Sequence, residues 1–266
     1  MQHAPPWRRA AATLAVITFL GCNGDPSTTE TDADSSSDAS SESSDSGAST
    51  GAAASSSTSA GVTSEGETGA EPGAIVYLGE VWADNWSSMY LHDALIMEDS
   101  ESITTERSFN SEVFTFEATP PFLLNVVMKD FIENDSGLEY IGSPMQQMGD
   151  GGYIAQISVE ESGELVAVSS ADWRCLTIHE APLNKDCEKS PAPLEDCESA
   201  ISAEPEGWKQ DDFDDSGWTA ATVFTAAEVS PKEGYNDVAW DPSASLIWGG
   251  DLETHNTILC RVWVNG

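Results

Sequence analysis

From Gly73 to the C-terminus, apolar residues fall in short runs, and no stretch longer than a turn or two repeats them at the 3.6-residue period of a helix. The runs are rich in Val, Ile, Phe, Tyr and Trp and are punctuated by Gly, Asp, Asn, Ser and Pro, the residues that turn a chain back on itself. That pattern predicts an all-β fold with the strands packed as a sandwich. Strands are expected over Ala74 to Leu91, interrupted by a turn at Ala83-Asp84-Asn85, and over Leu95 to Met97 after a tight return at His92-Asp93. Val113 to Phe116 is a further short strand, and Phe122 to Phe131 reads as a continuous apolar run covered on both faces. Tyr153, Ala155, Ile157 and Val159 alternate with polar residues, the period of a half-buried strand, and Glu161-Ser162-Gly163 turns the chain into Leu165 to Val168. Ala221 to Phe224, Leu246 to Trp248 and Ile258 to Val264 complete the set.

The residues before Gly73 cannot join this core. Residues 1–22 have a basic start at Arg8 and Arg9, an apolar run from Ala10 to Leu20 and a small residue before Cys22, the pattern of a secretory signal. An apolar run of about eleven residues is too short to span a ~30 Å hydrocarbon layer as a helix. The ending Phe19-Leu20-Gly21-Cys22 resembles the lipobox of bacterial lipoproteins, which implies acylation of Cys22, export and a membrane anchor at the cell surface or outer membrane. Residues 23–72 are nearly all Ser, Thr, Ala, Gly, Asp and Glu, a composition that cannot offset the entropy of ordering, so a flexible linker is expected.

Charge excludes one class of partner. Beyond residue 72 the chain carries 36 carboxylates against 8 bases, an excess of 28. Such a surface repels phosphate backbones, so no nucleic-acid partner is expected. Acidic solubility or a divalent cation fits better.

The order of landmarks resembles the galactose-binding-domain-like jelly roll, a β-sandwich found as an accessory domain in glycoside hydrolases and bacterial surface proteins. The likeness rests on Ala83-Asp84-Asn85-Trp86 with Met89-Tyr90-Leu91, on Phe122 to Asp130, on Gly151 to Ala155 with Ala171-Asp172-Trp173, and on Phe213-Asp214-Asp215-Ser216-Gly217-Trp218. Leu246-Ile247-Trp248 and Leu259 to Val262 match its closing strands. The resemblance covers roughly residues 74–266 and implies one domain over residues 73–266, with residues 180–203 as an insertion. It departs at His92-Asp93, where the family shows Asn-Gly.

Three constellations carry candidate chemistry. Asp211, Asp212, Asp214 and Asp215 crowd one bend; with Asp84 they offer hard oxygen ligands to calcium, although the spacing is not that of an EF-hand loop. The competing reading is a structural turn in which Asp214 and Ser216 accept backbone N–H groups while Phe213 and Trp218 enter the core. Nine tryptophans form the second set. Sugars are held by stacking on rings while polar side chains bond hydroxyls, and Asp84, Asn85, Trp86, Trp240, Asp241, His255 and Asn256 offer that mixture in expected loops. Trp208, Trp218, Trp248 and Trp263 read instead as core. Cys175, Cys187, Cys197 and Cys260 form the third: an even number in an exported chain implies two disulfides, with Cys187 and Cys197 close enough for a local staple. Catalysis has little support, since His3, His92, His179 and His255 are scattered and no nucleophile elbow or zinc-binding His pair occurs. The expectation is a non-catalytic lipoprotein whose sandwich binds carbohydrate or another surface polymer, with a protein-contact module and a carboxylate-pair hydrolase as alternatives.

Overall fold

A computed structural model describes residues 73–104, 108–130 and 133–265. The signal segment with Cys22 and the polar tract lie outside the described residues. The described chain is all-β, as its patterning predicts, with four helical segments of one turn or little more. In order, the strands are β1 (Ile75–Asp84), β2 (Trp86–Leu91), β3 (Ala94–Glu98), β4 (Ser111–Ala118), β5 (Phe122–Lys129), β6 (Leu138–Glu139), β7 (Gln147–Met148) and β8 (Gly152–Val159). They continue as β9 (Leu165–Val168), β10 (Arg174–Glu180), β11 (Ala200–Ile201), β12 (Thr219–Ala220), β13 (Thr222–Phe224), β14 (Leu246–Trp248) and β15 (His255–Val264).

Two antiparallel sheets account for all but β6 and β7, which pair with each other. The first runs β13-β14-β8-β1-β4 with β9 also on β8; the second runs β11-β10-β15-β5-β2-β3 with β12 also on β10. Between them lies a core that includes Tyr77, Val81, Met89, Phe122, Leu124, Val126, Tyr153, Trp173, Trp248 and Ile258. Burying each such apolar side chain contributes about 1.5–3 kcal/mol.

Alternation along the strands sends other side chains to the outer faces, and part of each outer face is covered too. On the first sheet, Trp82, Ile154, Val229 and Leu246 form a cluster with Tyr235 and Trp240. On the second, Val127, Ile178 and Leu259 meet Trp208 and Trp218, with Trp86, Tyr90 and Phe213 against them. Each cover is a largely irregular stretch of chain, residues 204–218 with Trp208 and Trp218 over the second sheet and residues 225–245 with Tyr235 and Trp240 over the first. This layering explains why β5 is buried on both faces. It also corrects the reading of β8 as half-buried: Gly152 to Ile157 are buried throughout, because Ile154 meets the outer cluster while Tyr153, Ala155 and Ile157 face the core.

The turn expected at Ala83-Asp84-Asn85 is not a hairpin. β1 belongs to the first sheet and β2 to the second, so the chain crosses between layers there, and the Asn85 amide is caught by the Lys129 carbonyl at the end of β5 (3.0 Å). The hairpin comes one strand later, where β2 returns as β3 through His92-Asp93, with His92 in the left-handed region at φ 53°. The excursion after β10 is stapled by Cys187–Cys197, and Cys175 of β10 is joined to Cys260 of the neighbouring β15, its direct cross-strand partner. Both bridges match the expectation of two disulfides.

These bridges close loops of very different length, with sequence separations of 85 and 10 residues. The chain-entropy estimate is about 4–5 kcal/mol for the longer and about 3 for the shorter. Cys175→Ser/Cys260→Ser is therefore expected to lower the urea-unfolding free energy by ~1–2 kcal/mol more than Cys187→Ser/Cys197→Ser, measured side by side at one pH.

Candidate functional site

The residues expected to form a sugar site are dispersed by the fold. Asp84 and Asn85 are fully buried at the crossing between sheets. Trp86 lies on the outer face of the second sheet, its ring 5.1 Å from the Lys129 ammonium. Trp240 belongs to the cover of the first sheet, where its indole N–H donates to the Tyr235 carbonyl (2.8 Å). Asp241 accepts from the Ser243 amide (2.8 Å) and hydroxyl in its own turn, which hold its carboxyl below the usual range. His255 Nδ1 accepts from the Gly250 amide (2.9 Å) and meets Thr177 Oγ1 (2.9 Å). Asn256 is buried and donates to the Ala181 carbonyl (2.7 Å). Trp86 and Trp240 thus sit on opposite outer faces, and the seven residues do not converge on one loop face.

The acidic bend behaves as a turn. Asp214 Oδ1 accepts the Ser216 amide (3.0 Å), and its bonds to Ser216 hold its carboxyl below the ordinary range. Asp211 Oδ1 pairs with His92 Nδ1 (2.5 Å), while Asp212 is exposed. Asp215 bonds Arg261 Nη1 (2.6 Å). Arg261 is nearly fully buried; its guanidinium also donates to the carbonyls of Phe213 (3.2 Å) and Gln210 (2.7 Å) and to Asn125 Oδ1 (3.3 Å). Asn125 in turn donates to the carbonyls of His92 (2.7 Å) and Lys209 (3.1 Å). Trp218 enters the apolar cluster with Phe213 against it. Asp84 sits on the other sheet, so Asp84, Asp212, Asp214 and Asp215 do not form one cation shell. Among the described residues, no three His, Cys, Asp or Glu side chains form a group that could hold a metal ion.

What patterning missed is Trp263. It was expected in the core, yet it is 43% exposed. On β15, Ile258, Cys260, Val262 and Val264 face the core, so Leu259, Arg261 and Trp263 face outward. The cover over this sheet ends at Phe213 and Asp215, which sit over Arg261, and Trp263 lies one step beyond. A cleft of about 550 Å³ opens there, lined by Trp263, Arg261, Asp215, Phe213, Asp172 and Arg174, with Val166 to Val168 of β9 on its far side. Arg174 is the direct cross-strand neighbour of Arg261 and, like Asp172, is exposed.

A second charged cluster lies at the sheet crossing. Lys232 Nζ bonds buried Asp84 Oδ2 (3.0 Å) and Asp150 Oδ1 (2.9 Å), beside a cavity of about 310 Å³ lined by Phe109, Glu139, Tyr140, Met145 and Gln147. Burial pushes the Asp84 carboxyl up to about 8 despite the nearby ammonium. Burial opposes the charge on Lys232 as well, but Asp84 and Asp150 outweigh it and raise its pKa. Burial also pushes Asp99 up to about 6.

No protein-family model, curated protein or solved structure matches the chain.

A carboxyl whose pKa is higher in the folded than in the unfolded state favours folding in its protonated form. Its contribution is full below the unfolded pKa of about 4 and is lost as pH rises through the folded value. With Asp84 near 8 and Asp99 near 6, the urea midpoint of the full chain is expected to fall between pH 5 and pH 8.5. In Asp84→Asn the fall should be shallower, and an unchanged slope would show that Asp84 does not carry it.

Proposed function

We propose that this chain is a non-catalytic surface lipoprotein whose sandwich binds carbohydrate or a related surface polymer. The observation that carries the reading is Trp263: a large indole left 43% exposed just past the end of the cover over its sheet, at the edge of an open polar cleft. A ring exposed beside hydrogen-bonding side chains is what a sugar face and its hydroxyls require. The proposed site therefore moves from the loops around Trp86 and Trp240 to the outer end of β15. Two antiparallel sheets agree with the galactose-binding-domain-like jelly roll that the landmark order resembles, and membership in that class is part of the proposal. The disulfides fit an oxidising, extracytoplasmic compartment. Among the described residues, no helix is long and apolar enough to cross a membrane. Attachment is proposed through lipid on Cys22, with the polar tract as tether.

One set of observations favours a protein-contact module instead. Leu183, Leu194 and Ile201 are each about half or more exposed around the Cys187–Cys197 excursion, and the tryptophans first expected to bind sugar are scattered.

Polysaccharide pull-down with the full chain separates the two readings. Trp263→Ala is expected to weaken retention at least about tenfold, a loss of ~1.4 kcal/mol, while Trp86→Phe and Trp240→Phe leave it unchanged. Retention by no glycan would favour the contact module. For the anchor, Cys22→Ala should move the protein from the membrane to the soluble fraction.

A further inference from the structure

The cleft at Trp263 also constrains the charge of its ligand. This step rests on the carbohydrate reading of that cleft. Of its four charged side chains, Arg261 and Asp215 neutralise each other at 2.6 Å, and three further N–H groups of the buried Arg261 guanidinium are held by Phe213, Gln210 and Asn125. Asp172 and Arg174 remain. Both are exposed, both line the cleft, and among the described residues neither side chain makes a hydrogen bond or an ion pair. Arg174 differs in this from the other described bases, which pair with carboxylates or lie over aromatic rings.

A free acceptor and a free donor beside one exposed ring ask for a ligand that donates and accepts in turn along an apolar face. Adjacent hydroxyls on a sugar ring do this, because each hydroxyl is both donor and acceptor. The charge balance sets the class further. The four groups cancel within the cleft, whereas the chain beyond residue 72 carries 28 excess negative charges. A polyanion would be repelled by that field with a single free guanidinium to hold it. A polycation would find many carboxylates elsewhere and no reason to select this cleft.

We propose that the cleft is a subsite for an uncharged glycan: one sugar ring lies on Trp263, a hydroxyl donates to Asp172, and a neighbouring hydroxyl accepts from Arg174.

The test is titration of the full chain with neutral polymers (dextran, galactomannan, unsubstituted xylan) and with polyanions (polygalacturonate, heparin), using circular dichroism melting to confirm that each variant folds. A neutral polymer should bind, with affinity nearly constant from about 50 to about 500 mM salt. Asp172→Asn and Arg174→Gln should each weaken it by about tenfold or more, as loss of a charged hydrogen-bond partner does. Binding that Trp263→Ala removes but that neither Asp172→Asn nor Arg174→Gln changes would overturn the hydroxyl-pair assignment while leaving the Trp263 site standing. Preference for a polyanion, weakening with salt, would overturn the uncharged class alone. Binding to none of the polymers, or indifference to Trp263→Ala, would overturn both this inference and the carbohydrate reading beneath it.

Discussion

The guanidinium of Arg261 is where the second sheet and its cover become one structure. A buried cation is costly unless it is paired and its donors are all used, and removing one partner of such a pair typically costs about 3–5 kcal/mol. Here four of the five N–H groups are used: by a carboxylate at 2.6 Å, two backbone carbonyls from the bend and an amide oxygen from β5. Asn125 extends the network to the β2–β3 turn through the His92 carbonyl. The bend, the hairpin and two adjacent strands therefore share one polar node, inside a layer that is otherwise aromatic. Of the aspartates that look like a metal site, Asp215 serves that cation, while Asp211 pairs with His92 and Asp214 closes the turn on Ser216.

From this node the position of the cleft follows. Residues 204–218 cover the outer face of the second sheet with Trp208, Trp218 and Phe213, and Arg261 holds the last of them in place. Past Asp215 the chain returns to the sheet edge as β12, beside β10, and nothing from the cover reaches the end of β15. Trp263 is the outward residue two positions beyond Arg261, so it is left facing the opening. The exposed ring results from where the cover stops, and the wall beside it is fixed by the pairing of the buried Arg261 with Asp215.

The fold was legible because strands announce themselves by period and by turn residues. β5 and the β8–β9 hairpin fall where alternation and Gly163 put them, and the bend at Phe213 to Trp218 anchors the layer its residues advertise. That there would be two disulfides was readable from the even number of cysteines and the Cys187–Cys197 pair from its short separation, whereas Cys175–Cys260, 85 residues apart, is fixed by the pairing of β10 with β15. The opening at Trp263 was not legible, for a physical reason: period two says which residues share a face, but not which face a distant loop will cover. Trp240 has the local signature of an exposed loop tryptophan and is partly sheltered by Tyr235; Trp263 has that of a core strand and lies open. The sole sequence hint was that Trp263 follows Arg261 by two, which puts an indole and a cation on one face. His255 and Asn256 open β15, where the His255 ring bonds the Gly250 amide and the Asn256 side-chain amide donates to the Ala181 carbonyl.

β1 lies between two partners, registered with β4 along eight residue pairs and with β8 along eight more. It is also the strand that the N-terminal tract enters. If the tract is the tether and the end of β15 the grip, mechanical load between surface and ligand runs through β1 and β15, and each is flanked on both sides in its own sheet. A pull along β1 must shear two ladders together, because neither border is open for peeling. On that reading, a tether joined to an inner strand instead of an edge strand would suit the sandwich to holding under tension, with Cys175–Cys260 clamping the loaded strand at the other end to its neighbour.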